Sequence, residues 1–213
     1  MKSVFLESKN IFLRPLSKDD SFDNYANWLN DQKTTLFMGS GRFPINVVDL
    51  KNYIDSYNNS KDKMLLGIFL KKSSEHIGNI TLHMIDWKDR HAEIGIIIGN
   101  KNVRGKGYAT EAISLITDHA FNKLNLHKLY TGMIKGNEAS KRAFEKVGFK
   151  VEGILREHFY LNDAYLDCYR MGLLKSEYRK LKPSLFGSVK GGDITAEMIE
   201  ESRRSLFRNL ADV

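Results

Sequence analysis

This chain of 213 residues holds a single cysteine and three prolines, and it contains no long apolar run. One thiol, Cys168, can form neither an internal disulfide nor a cysteine-cluster metal site, which points to a reducing compartment, the cytoplasm. No uninterrupted apolar stretch approaches the roughly 18 residues of a membrane span. The opening MKSVFLESKNIFLRPL is broken by Glu7, Lys9 and Asn10 and lacks an apolar h-region with a cleavage site, so no secretory leader is expected. Basic segments with interleaved aromatics, the mark of an RNA-binding strand, are also missing.

What is present is a globular composition, 42% hydrophobic and 28% charged, long enough for one domain or one domain with an appendage. Lys and Arg number 33 against 26 Asp and Glu, a net +7. These cations are scattered. They describe a solvated surface biased toward anionic ligands, with neither nucleic acid nor membrane as a partner.

IFLRPL reads as a short strand, followed by a helix with Phe22, Tyr25, Ala26 and Leu29 on one side, then a second helix with Val47, Leu50, Tyr53, Ile54 and Tyr57. MLLGIFLKK, HIGNITLHMID and HAEIGIIIG have strand character, and their short connections imply antiparallel neighbours. Ala109, Ala112, Ile113, Ile116, Ala120, Phe121 and Leu124 then mark an amphipathic helix of about four turns. HKLYTGMI follows as a strand. Asn137 caps a short helix that ends at Gly148, and two longer strands around LNDAYL close an α/β mixed sheet with helices on its faces. From 181 the composition changes. Residues 181–193, with a proline and three glycines, read as a linker, and 194–213 as a helix suited equally to docking on its own domain, 1–180, or to a homodimer.

NKNVRGKGYATEA, between a strand and a helix, carries the chemistry. A P-loop requires four residues between its glycines and a hydroxyl after the lysine, but Gly99 and Gly105 are separated by five and Lys106 precedes Gly107. A Rossmann fingerprint requires a third glycine where Thr110 stands, and parallel strands where antiparallel ones are expected. There remains a turn of backbone amides from Arg104 through Gly105, Lys106, Gly107 and Tyr108 to Ala109, running into a helix N-terminus that favours pyrophosphate.

This stretch resembles the coenzyme A pyrophosphate motif of the GNAT superfamily of N-acetyltransferases: Gln or Arg, two residues, Gly, one residue, Gly or Ala. Asn102 stands at the first position, which alters one side-chain contact and leaves the amides in place. LNLHKLY, NEASKRAFEKVGF, EGILREHF and AYLDCYRMGLLKSEY resemble, in order and spacing, the RimJ/RimL-like branch, which contains ribosomal-protein N-terminal acetyltransferases, and also spermidine acetyltransferases. The resemblance spans about residues 10 to 180.

The resemblance implies a twisted, mostly antiparallel sheet of seven strands flanked by about four helices, and acetyl-CoA as acyl donor with no metal. The cofactor would lie between two splayed strands, 91–99 and 127–135, with an amide near Ile97 or Ile98 facing the acyl oxygen. Glu93 resembles the family's strand glutamate, the general base. Many relatives carry a Tyr acid where this chain has Phe144. Ser140, one turn earlier, would serve the sulfur, and Asn137 the pantetheine arm. Arg104, Lys106, Lys141 and Arg142 are candidates for the charged end of the cofactor. The acceptor would be a small-molecule or peptide amine, a protein N-terminus or an amino-sugar nucleotide, with a polyamine as the alternative and a non-catalytic CoA-binding scaffold as the other class. YANWLNDQKTTLFMGSGRFP resembles a segment of relatives in surface-sugar biosynthesis, so Tyr25, Trp28, Phe37 and Arg42, with His91 at the rim, would border that acceptor.

Overall fold

The computed structural model describes residues 3–185 other than 18, 19, 21 and 40. Contacts divide the chain into two units, 1–180 and 181–213. The strands of the first are β1 Leu6–Glu7, β2 Ile11–Arg14, β3 Met64–Leu70, β4 His76–Asp86, β5 His91–Ile98, β6 Lys128–Ile134, β7 Lys150–Leu161 and β8 Ala164–Leu174. The helices are α1 Asp23–Asn30, α2 Gln32–Thr35, α3 Val47–Asn58, α4 Tyr108–Asn122, α5 Glu138–Val147 and α6 Lys175–Leu185. All eight strands form one sheet in the order β1-β2-β3-β4-β5-β6-β8-β7. The two-residue β1 accounts for the strand beyond the expected seven. The single-turn α2 and the terminal α6 are the helices that periodicity did not mark.

Every neighbouring pair is antiparallel except β5 and β6, which are parallel because α4 crosses between them. Alternation along the strands buries both faces. On one, Tyr25, Leu29, Leu50 and Ile54 of α1 and α3 pack with Leu65, Phe69 and Ile97 of the sheet. On the other, α4 buries Ala112, Ile113, Ile116, Ala120 and Phe121 and contacts β1, β2, β4, β5 and α5. Glu93 shares the face of Ile97, two residues on either side of Gly95, so it points to the α1–α3 side.

Asn137 caps α5 by accepting the Ser140 N–H at 3.3 Å, and Gly148 ends the helix at φ +107°. α6 runs to Leu185, which makes the first five residues of the expected linker helical. The rest of the linker, the carboxy-terminal helix and the expected dimer surface lie outside the described residues.

Candidate active site

β5 and β6 pair at His91↔Lys128, Ala92↔Leu129 and Glu93↔Tyr130, and there the pairing stops. Both strands continue, to Ile98 and Ile134, so a wedge opens from its apex at Glu93 with unpaired backbone on its walls. Peptide groups alternate in direction along a strand. The Arg90 carbonyl accepts the Lys128 N–H on the β6 side, whereas the Ile97 carbonyl lies against Gly78 of β4. Ile96 and Ile98 therefore face the wedge. The expectation for Ile97 is corrected: its peptide is spent in the β4 ladder, and Ile96 takes its place.

Beyond the open end, Gly105 and Gly107 adopt φ +75° and +87°, the left-handed region that glycine enters without strain. A Cβ built on either meets no atom within 4 Å, so the space above both is open and a side chain would fill it. Gly107 starts α4, and the N–H groups of Tyr108, Ala109 and Thr110 in its first turn have no acceptor within the helix. The one acid of that turn, Glu111, is drawn aside by Ser8 and Asn10 at 2.6 and 2.5 Å. These features fit the pyrophosphate of coenzyme A. Lys106 is exposed beside them. Arg104 braces the loop from within: its Nε donates to the Ile98 carbonyl at 2.9 Å and its Nη2 to Thr34 Oγ1 at 3.2 Å, which ties the cradle to β5 and α2.

At the apex, Arg170 of β8 lies 3.3 Å from the Glu93 carboxylate and 5.1 Å over the Tyr130 ring. Gly132 leaves the room, since a Cβ there would come within 2.8 Å of the guanidinium. Burial raises the Tyr130 phenol pKa, the Glu93 carboxylate adds to the rise, and Arg170 opposes it. His91 packs edge-on to Tyr130 at 5.7 Å. Its donor atom also gathers with those of Asp86 and Asp89 within 4.8 Å.

His83 of β4 pairs across the seam with Glu93. Its ring bonds Tyr57 of α3 at 2.7 Å and Thr81 at 2.6 Å. Burial lowers the imidazole pKa, Lys63 works in the same direction, and Glu93 opposes both. Sequence reading missed Arg170, His83 and Tyr57. They come from separate elements: the registers β4–β5 and β6–β8 bring His83 and Arg170 to Glu93, and α3 sets Tyr57 against His83.

On the α5 side, Ser140 is half-buried in the first turn, and its hydroxyl makes no hydrogen bond among the described residues. Phe144 is 1% exposed and packs edge-on against Phe149 at 5.1 Å. Lys141 is held by Glu145 at 2.6 Å, while Arg142 is exposed. Cys168 is buried, and burial raises its pKa, as suits a core thiol.

The residues expected to border the acceptor separate. Tyr25 is 5% exposed within the core, where burial raises its phenol pKa, so it is a packing residue. Trp28 packs tilted against His76 at 5.2 Å and covers Gly99, where a Cβ would collide with the indole. Phe37 reaches toward Gly136 at the wide end of the wedge. Arg42 lines a cleft of about 260 Å³ with Gln32, Thr35, Ile134, Phe159 and Asn162. Among the described residues that lining includes one cation and no carboxylate.

A sequence profile described as the Acetyltransferase (GNAT) domain matches residues 10–150. Over 179 residues the chain is 30% identical to the uncharacterized N-acetyltransferase p20 of Bacillus licheniformis, covering 81% of this chain and 97% of that protein. It is also 30% identical over 169 residues to the spermidine N(1)-acetyltransferase of Escherichia coli (strain K12), covering 79% and 88%. Among solved structures, the spermidine N-acetyltransferase of Vibrio cholerae in complex with CoA and spermine superposes with a TM-score of 0.71 at 28% identity, covering 79% of this chain and 98% of that one.

Proposed function

The chain belongs to the GNAT family of acetyl-CoA-dependent N-acetyltransferases, and from that premise we propose that its acceptor is a primary amine of low pKa, on an amino-sugar nucleotide or a protein N-terminus. One observation carries the reading of the site: a parallel strand pair that parts at Glu93, with a glycine cradle beyond its open end.

Bound acetyl-CoA supplies an acetyl group activated as a thioester. The amides from Gly105 to Ala109 and the α4 N-terminus hold its pyrophosphate, with Lys106 and Arg142 near its charged end. Asn137 contacts the pantetheine arm, and the Ser140 hydroxyl donates to the sulfur. The N–H groups of Ile96 and Ile98 are the donors available to the acyl oxygen. Glu93 takes a proton from the amine nitrogen as the C–N bond forms. Phe144 has no proton to give, which leaves the sulfur to Ser140.

Two features support the acceptor class. An amine near pKa 8 is neutral in about one molecule in ten at pH 7, whereas one near 10.4 is neutral in fewer than about one in a thousand. The 260 Å³ cleft offers Arg42 and no carboxylate, which suits an anionic carrier and gives a polycation no partner. Arg42 therefore favours the amino-sugar nucleotide. A polyamine is the second reading, favoured by the E. coli and V. cholerae relatives. A buried lone thiol agrees with work in the cytoplasm.

The experiment is thiol release from acetyl-CoA with UDP-linked amino sugars, peptides with free N-termini, and spermidine. A kcat/KM at least about 100-fold higher for one of the first two sets than for spermidine supports the proposal. Preference for spermidine overturns it.

A further inference from the structure

The cradle and the acceptor cleft come from distant stretches of chain, the first from Arg104 to Ala109 and the second in part from α2 and the segment that ends at Arg42. Their separation must be fixed from within the protein. Three contacts seat the α1–α2 corner on the run that leads from β5 into the cradle. Trp28 covers Gly99, Lys101 Nζ lies 2.8 Å from Asp31 Oδ2, and Arg104 Nη2 donates to Thr34 Oγ1 at 3.2 Å.

The middle of this seat is a closed circuit. Asp31 Oδ2 accepts the Thr34 N–H at 3.0 Å and the Thr34 hydroxyl hydrogen as well. A threonine hydroxyl has one hydrogen, so with it committed to Asp31 the oxygen is left to accept from Arg104. Lys101 and Arg104 thus hold one corner from two sides, and the Arg104 N–H closes the ring on the Lys101 carbonyl at 3.3 Å. The circuit reaches the cleft through Asp31, which starts α2 and whose carbonyl accepts the Thr35 hydroxyl at 3.1 Å. Thr35, 6% exposed, is the residue that Gly41 packs against. Gly41 holds φ +91°, and a Cβ there would collide with the Thr35 side chain. The next residue is Arg42. A line of contacts therefore runs from the cradle loop through Lys101, Asp31 and Thr35 to the cation of the cleft.

We propose that Asp31, Thr34 and Lys101 are positioning residues that set the Arg42 cleft against the cofactor loop, so that filling the cradle steadies the wall that receives the acceptor. Among the described residues the N–H groups of Gly105, Lys106 and Gly107 have no backbone acceptor, and phosphate oxygens supply one. The loop is then held at its cradle end as well as at Arg104, and the restraint passes along the circuit to α2. An acceptor that meets an ordered wall loses less conformational entropy on binding. Each link is a surface contact, with the Lys101 side chain 52% exposed, and such contacts add little to folding. Their removal leaves the fold intact and loosens the cleft. The effect is mutual, because an acceptor seated at Arg42 tightens the cofactor by the same factor.

This inference rests on the cradle and acceptor readings, so the test keeps their failures apart. Wild type, the double variant Thr34→Val with Lys101→Met, and the conservative Lys101→Arg are compared by amide hydrogen exchange with and without coenzyme A, and by steady-state kinetics with a UDP-linked amino sugar and with spermidine. Coenzyme A alone is expected to slow exchange at residues 32–36 by about 10-fold in wild type and in Lys101→Arg, and to leave the double variant unchanged there. The double variant is expected to keep its melting temperature, with kcat and the coenzyme A dissociation constant within about threefold of wild type. Its KM for whichever amine is turned over rises by about 10-fold. A fall in kcat alongside a lower melting temperature would mark a general structural role and overturn the proposal. So would an unchanged KM, or exchange at 32–36 that ignores bound coenzyme A. Wild type that fails to bind coenzyme A would sink the cradle reading and this proposal with it. Wild type that shows the exchange response and turns over neither amine would count against the acceptor class and uphold the positioning role, because coenzyme A alone drives that readout.

Discussion

His83 and Glu93 stand opposite each other on β4 and β5, with their side chains on one face of the sheet. An imidazole kept neutral by burial and a carboxylate tied to Arg170 thus occupy adjoining positions at the apex of the wedge. Groups whose environments differ in this way suit different proton transfers.

Replacing Glu93 by Gln keeps the shape and removes the proposed base. Turnover is expected to fall by about 10²-fold or more, with the acetyl-CoA dissociation constant changed by less than about threefold. Steady-state kinetics beside calorimetric titration measure both, and equal losses would remove Glu93 from the role.

Acetyl-CoA is expected to raise the melting temperature of wild type, and Gly107→Glu to abolish that rise. The substitution fills the open space over the cradle, places a carboxylate where phosphate belongs, and forces a side chain onto φ +87°. Differential scanning fluorimetry with and without the ligand tests it.

Arg14, 7% exposed, is held by Asp20 through two bonds of 2.8 and 2.7 Å and lies 4.0 Å over the Phe69 ring. Asp20→Ala strands a buried cation, at an expected cost of about 3–5 kcal/mol. Urea unfolding measures it, and a loss below about 1 kcal/mol would contradict the account.

Asn137→Ala removes the α5 cap at Ser140 N–H, an expected loss of about 1 kcal/mol. If Asn137 also touches the pantetheine arm, KM for acetyl-CoA rises in the same variant. Asn137→Asp, which keeps the cap, separates the two effects.

The Lys101 ammonium at 2.8 Å, and then Thr34, hold Asp31 down from 3.8 to about 2. A folded-state pKa below the unfolded one gives stability that is complete above about pH 4 and lost as pH falls toward 2. Asp31→Asn should flatten the stability profile across that window and leave it unchanged near pH 7.

Period alone located most strands and helices to within a residue or two, because each carries enough apolar residues to show two- or three-to-four-fold spacing. β4, read as His76 to Asp86, has those bounds in the structure. β1, with two residues, and α2, with four, are too short to show a period. The cradle was legible because one continuous stretch makes it. The apex was legible only at Glu93. Arg170 lies 77 residues away and meets it through a strand register that local spacing does not encode. The direction of the Ile97 peptide depends on which neighbour each edge of β5 pairs with, so side-chain alternation, although read correctly, did not reveal it.

Three residue pairs between β5 and β6 stitch β1–β5 to β6–β8. A ligand lodged in the wedge would bridge the two halves where the backbone does not. Occupancy then acts as mortar, raising resistance to unfolding by RT ln(1 + [L]/Kd). With less acyl donor bound, that added resistance to unfolding shrinks by the same relation.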